Sequence, residues 1–361
     1  MSKIKYYSLN NIKKENAQYN IIIGQRSNGK TYSVLEEIIK KYVESGEQGA
    51  YLRRWQTDIK GLGSTIFDGH VGNGLISELT GGEWNSVTYY SRRFYFCKVV
   101  DGEKQNTDPV PFCYTFSLSD SEHDKSTSYP NITTILFDEF LTKSFYLRDE
   151  FVTFCNVIST IKRNRTNVKI YMCGNTVNGY CPYFAEMGIK DVKKIPKKTI
   201  VLYRYGNSKL KVAVERCEVL TKNKEIDAYF AFDNPKLKMI TEGEWELEIY
   251  PHLKSKFRPC DILFKFYIYF NFEYVACNIL KLNNNIVLFI HKKTTEIKNY
   301  EKSYIFGIVG SENYYHRTKI NLKNDKLTAK IGEFFINGRV FYDTNETGEM
   351  VQNYLNWCKT H

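Results

Sequence analysis

The sequence has no C-x-x-C pair; its nine cysteines are scattered along 361 residues. That spacing excludes a zinc ribbon and does not form a disulfide framework, and it fits reduced thiols in a cytosol. No apolar run is long enough to cross a bilayer as a helix, so no membrane partner is expected. The opening residues, MSKIKYYSLNNIKKEN, have no apolar core, so a secretory leader is not expected there. Heptads, internal repeats and long low-complexity tracts are missing, which sets aside coiled coils and solenoids.

What remains is a chain able to build cores. Its length suits two or three domains, and 42% of its residues are hydrophobic. Aromatic residues make up 15%, mostly Tyr and Phe. The net charge of +11 favours a polyanionic partner such as nucleic acid. Basic clusters occur at Arg53–Trp55, Ser91–Arg93, Lys162–Arg165 and Lys193–Lys198, and each alone also fits a solvated face.

The stretch GQRSNGKT, Gly24 to Thr31, fits G-x-x-x-x-G-K-[ST]. Two glycines permit dihedrals and close approaches that a Cβ would block. The loop N–H groups and the positive end of a following helix then converge on phosphates. Gly24, Gln25, Arg26, Ser27, Asn28, Gly29, Lys30 and Thr31 are therefore read as the ATP-binding loop. Lys30 supplies charge to the β and γ phosphates, and Thr31 offers a hydroxyl to Mg²⁺. The flanks agree. Gln18–Ile23 reads as a buried strand, and Thr31–Gly46 as a helix with apolar Val34, Leu35, Ile38, Ile39, Tyr42 and Val43.

A second apolar run, TTILFDEF, ends in Asp138 and Glu139. It reads as a buried parallel strand with both acids at its C-terminal edge, where open α/β sheets gather ligands. Asp138 is placed to hold Mg²⁺ through water and Glu139 to polarise an attacking water, which points to hydrolysis. Asp149–Arg165 reads as an amphipathic helix with Arg163 and Arg165 at or beyond its end. From these residues alone, a cationic helix terminus is the favoured reading over a phosphate-sensing arginine. Val168–Thr176 reads as a further strand, and Asn175 at its end is either a γ-phosphate sensor or a turn residue. With Thr199–Gly206 as another strand, residues 1–206 form a P-loop α/β domain.

The motifs IIIGQRSNGKTYS, GEQGAYLRRW, SYPNITTILFDEF, IKRNRTNV and GNTVNGYCPYF stand in an order that resembles the genome-packaging motor ATPases of phi29-like tailed phages. These are additional-strand P-loop ATPases, akin to terminases and FtsK/HerA-like DNA pumps. The resemblance covers the first two hundred residues well and later ones thinly, through features such as FFINGRVFYD. It implies that Arg163 is a finger reaching a neighbour's nucleotide in trans, that Lys125 reaches across the same interface, and that Arg165 is structural or DNA-facing. It gives Arg26 a γ-phosphate or coupling role and leaves the pair Arg53 and Arg54 without one. Gln56 departs from the pattern, which has lysine there.

Residues 207–258 read as a linker segment or small linker domain, and residues 259–361 as an α+β domain. Strands are expected across ILFKFYIYFNFEYVACNILKL and NNNIVLFIHKK, and helices at Asp325–Gly338 and Glu346–Lys359. The resemblance implies a ribonuclease H-like fold there. Its first strand, ILFKFYIYF, carries no acid for metal, so nuclease chemistry is not expected. Asp343 and Glu346 are expected at the surface, and His316 in a structural role.

Together these readings describe an ATPase that drives double-stranded DNA into a viral procapsid. The resemblance implies a homopentameric ring docked on the portal protein in the host cytoplasm, with a structural packaging RNA as a further partner. Asp58–Thr65 is one candidate for a DNA-facing loop. The alternatives are a nucleotide-switched nucleic-acid-binding protein with little turnover and a terminase with an active nuclease.

Overall fold

The computed structural model describes residues 6–120, 127–142, 146–177, 181–217, 245, 248–283, 285–308, 311–320 and 326–360. Lys125 and most of 218–247, where the linker was expected, lie outside these residues. The chain divides into two compact units, Met1–Glu246 and Leu247–His361.

The first unit is built on ten strands: β1 (Tyr19–Gly24), β2 (Gln48–Arg53), β3 (Ser86–Tyr90), β4 (Arg93–Val100), β5 (Glu103–Thr107), β6 (Cys113–Ser117), β7 (Ile132–Asp138), β8 (Lys169–Asn175), β9 (Thr199–Arg204) and β10 (Lys211–Arg216). Among the described residues they form one sheet in the order β3-β4-β6-β2-β7-β8-β1-β10-β9, with β5 on β4. The six strands from β6 to β10 along this path run parallel. Antiparallel β9 and the β3–β5 meander close the two edges.

The parallel strands are apolar on both faces, because helices cover both. Alternation along β1 sends Ile21 and Ile23 to one side and Ile22 to the other. Among the described residues, seven helices accompany the sheet: α1 (Asn10–Lys14), α2 (Lys30–Ser45), α3 (Gln56–Leu62), α4 (Asp68–Gly72), α5 (Leu75–Leu79), α6 (Glu150–Lys162) and α7 (Pro182–Glu186). The expected stripe of α2 is buried at Val34, Leu35, Ile38 and Ile39, and packs against Ile22, Tyr51 and Leu136. Gly49 lets α2 approach β2 closely, since a Cβ there would lie 2.4 Å from Ile38 Cγ2. The opposite face takes α6, whose Phe154, Ile158 and Ile161 pack with Ile23, Leu52 and Phe137. Each such side chain contributes roughly 1.5–3 kcal/mol of burial.

Two expectations are corrected. The sheet does not stop at 206, because β10 pairs in parallel with β1, register Ile21 to Val214. The short alternating strand, set between polar segments, finds its partner some two hundred residues upstream. Asp58–Thr65 is not a loop; it falls in α3 and the 3-10 turn Gly63–Phe67. Helix α6 ends at Lys162, where Arg163 leaves the helical region at φ 47°.

In the second unit, β11 (Ile262–Phe270), β12 (Glu273–Leu282) and β13 (Asn285–Lys292) are antiparallel. Asn271 and Phe272 both take positive φ in the two-residue turn joining β11 to β12, the twist that suits a tight hairpin. Strands β14 (Ile305–Phe306), β15 (His316–Arg317) and β16 (Val340–Tyr342) complete the order β15-β14-β11-β12-β13-β16. Three antiparallel strands continued by parallel β14 and β15 give the ribonuclease H-like arrangement. Helices α8 (Lys326–Ile336) and α9 (Asn345–Thr360) fall where the periodicity places them.

Candidate functional site

At the C-terminal edge of the parallel strands lies a cavity of about 760 Å³, within the usual range for small-molecule sites. Its wall includes Arg26 to Thr31, Asp138, Glu139 and Asn175. Gly24 and Gln25, expected in the binding loop, do not line the cavity; their carbonyls accept from Lys30.

Three strand ends bring these groups together. Strand β1 delivers the loop, β7 the acid pair and β8, lying between them, Asn175. Gly29 caps α2 at φ 91°, a left-handed conformation that turns the backbone into the helix. The buried Lys30 ammonium donates to Gln25 O at 2.7 Å, Asn28 Oδ1 at 3.0 Å, Asn175 Oδ1 at 3.2 Å and Gly24 O at 3.4 Å. These acceptors are all neutral, and burial pushes the ammonium below its ordinary range. The gap is the kind an anionic ligand relieves.

Thr31 Oγ1 donates to Asp138 Oδ1 at 2.7 Å. A hydroxyl and a carboxylate in contact are hard oxygen donors of the kind Mg²⁺ takes, so the residues present fit that ion. Burial pushes the Asp138 carboxyl up, against the opposing pull of Arg53 and the Thr31 hydrogen bond. Tyr51 donates to Asp138 Oδ2 at 3.2 Å.

Glu139 stands one residue past β7 at φ 54°, with its carboxylate half exposed at the cavity. Arg53 donates to Glu139 Oε2 at 2.7 Å, to Asp58 Oδ2 at 3.2 Å and to Asp138 Oδ2 at 3.5 Å. Arg53 and Tyr51 therefore belong to the site, although the sequence reading left them without a role. Their signal was the period of two along AYLRR, which puts both on one face of β2 beside β7. The N-terminal segment was also missed. Tyr7 N–H donates to Asn28 O at 3.0 Å, Ser33 Oγ to Tyr7 O at 2.6 Å, and Tyr7 Oη to Glu215 at 2.6 Å. Tyr6 and Tyr7 thus form one wall of the cavity.

The outlying residues divide. Arg163 does not line the cavity; its guanidinium donates to Thr127 O at 3.2 Å. Arg165 is tied down, donating to the carbonyls of Pro130, Ile132, Tyr129 and Ile161 within 2.8 Å. Gln56 donates to Asp120 at 2.5 Å. In the second unit His316 meets Tyr300 O at 3.2 Å, and Asp343 accepts from the N–H of Lys292 and Thr344.

A phosphate loop on β1, an acid pair on β7 and an inserted strand β8 between them define a P-loop protein of the additional-strand class. Within that class the chain belongs to the Podovirus DNA encapsidation protein (Gp16) family, whose pattern matches residues 1–205. It is 30% identical over 179 residues to the DNA packaging protein of Bacillus phage B103, covering 48% of this chain and 50% of that one. It is 29% identical over 198 residues to the DNA packaging protein of Bacillus phage phi29, covering 54% of each. The chain thus matches about half the length of these curated relatives. The bacteriophage phi29 genome packaging motor assembly contains a chain of the same fold, with a TM-score of 0.59 at 20% identity over 99% of both chains.

Proposed function

We propose that this protein is an ATP-driven translocase that feeds double-stranded DNA into a viral procapsid. The observation that carries the reading is the convergence of Lys30, Thr31, Asp138, Glu139 and Asn175 on one cavity, in a chain of a DNA encapsidation family. The triphosphate lies along Arg26–Thr31, with Lys30 shifting from its carbonyl acceptors to the β and γ oxygens. Thr31 and Asp138 would hold Mg²⁺, which would supply charge neutralisation to the triphosphate. Glu139, released from Arg53, orients and polarises the attacking water. Asn175 reports the γ position to Lys30 through their shared hydrogen bond.

Arg163 does not line its own cavity, which suits a finger given to the next subunit of a ring. Lys125 has the same role, on the family resemblance alone. A homopentamer on the portal in the host cytoplasm, with a packaging RNA as a further partner, completes the reading. Among the described residues no helix is long and apolar enough to cross a membrane. The second unit keeps a nuclease-like fold but binds nucleic acid or the portal instead of cutting, because β11 presents no carboxylate.

The test is ATP hydrolysis with and without linear duplex DNA. The DNA should raise kcat. The stimulated part should fall steeply, by orders of magnitude in DNA affinity, between about 50 and 200 mM salt, as phosphate contacts are screened. Turnover indifferent to DNA at low salt would count against a translocase.

A further inference from the structure

The turn carrying Glu139 is fastened to helix α6 by one buried ion pair. Arg54 follows β2 and is 5% exposed; Glu150 opens α6 and is 2% exposed. Arg54 Nε donates to the two Glu150 oxygens at 3.0 and 2.8 Å. One terminal nitrogen donates to Phe140 O at 2.7 Å and the other to Glu139 O at 3.4 Å. The Tyr146 ring lies 4.8 Å from the guanidinium carbon. Glu150 also accepts from Tyr183 Oη at 2.8 Å and from Leu147 N–H at 2.6 Å.

Burying such a pair costs desolvation, so it adds little to overall stability beyond what an apolar pair of the same volume gives. What the ions add is direction. The planar guanidinium fork fixes two backbone carbonyls of the turn against the first turn of α6. Those carbonyls belong to Glu139, whose φ of 54° is held only by its surroundings, and to the next residue. Phe140 N–H is tied separately to Cys173 O at 3.3 Å, so the turn is clamped from both sides.

We propose that Arg54 and Glu150 are positioning residues for hydrolysis, a buried link that sets the Glu139 turn and the helix ending at Arg163 as one rigid piece. The inference rests on the ATPase reading of the pocket. It gives the adjacent arginines separate tasks: Arg53 meets the Glu139 carboxylate, and Arg54 holds its backbone.

The deciding variant is Arg54→Met/Glu150→Leu, which removes both charges and leaves neither buried alone. It should fold, bind MgATP within about threefold of wild type, and hydrolyse it about 10- to 100-fold more slowly, as expected for a misplaced catalytic group. Amide exchange at Phe140, Leu141 and Leu147 should quicken, while α2 stays unchanged. A folded double variant with wild-type kcat and wild-type exchange overturns the inference. Should that variant not fold, Arg54→Lys decides: a lower kcat at unchanged MgATP affinity supports the link, and a wild-type kcat overturns it. If the wild-type chain itself does not hydrolyse ATP, the pocket reading fails, and the exchange comparison alone upholds or overturns the link.

Discussion

Glu139→Gln is expected to lower ATP hydrolysis by about 10²–10⁴-fold, the usual contribution of a positioned acid–base group, while MgATP stays bound. The physical basis is position. Asp138 is the last residue of a fully buried strand, already engaged with Thr31 and Tyr51. Glu139 lies one residue further, at the cavity, with its carboxylate half exposed and reached by Arg53. It is the acid free to meet water once Arg53 turns elsewhere. The amide keeps the shape and loses the charge that polarises water. Filter binding of nucleotide beside a phosphate-release assay separates the two effects. A nucleotide-operated switch with negligible turnover would leave both readouts unmoved by this substitution.

Arg163→Ala should cost about 10³–10⁵-fold in kcat, the range for a finger arginine. The arginine stands where α6 ends, outside the lining of its own cavity, and donates to the Thr127 carbonyl. On the proposed reading, such a group completes a neighbour's site. Arg163→Ala subunits keep an intact loop, and Lys30→Ala subunits keep an intact finger. Mixed in equal amounts, they should restore activity at about a quarter of the interfaces of a randomly assorted ring. An unrecovered mixture in rings of normal size would place Arg163 outside any shared site.

The legible part of this protein was local. GQRSNGKT and TTILFDEF each carry their chemistry within eight residues, and the helix and strand around them follow from apolar spacing alone. The fold bears out the P-loop class for that reason. The same holds for β11 to β13, whose alternation and turn residues sit side by side in sequence. What was not legible depends on contacts across the sheet. Arg53 and Tyr51 become site residues only because β2 lies beside β7, some eighty residues away in the chain. Tyr7 enters the site by bonding to the P-loop and to Glu215 on β10. Strand β10 itself passed for a linker because its parallel partner is the first strand of the sheet. Asp58–Thr65, with three glycine or threonine breaks, read as a loop, whereas packing against β2 and β6 supports a helix there.

The most direct measurement is a structure of the chain with Mg²⁺ and a non-hydrolysable ATP analogue. The account predicts the triphosphate along Arg26–Thr31, an ion beside Thr31 and Asp138, and Glu139 turned from Arg53 toward the γ phosphate. An analogue seated elsewhere, or one bound here with no ion beside Thr31 and Asp138, would contradict it.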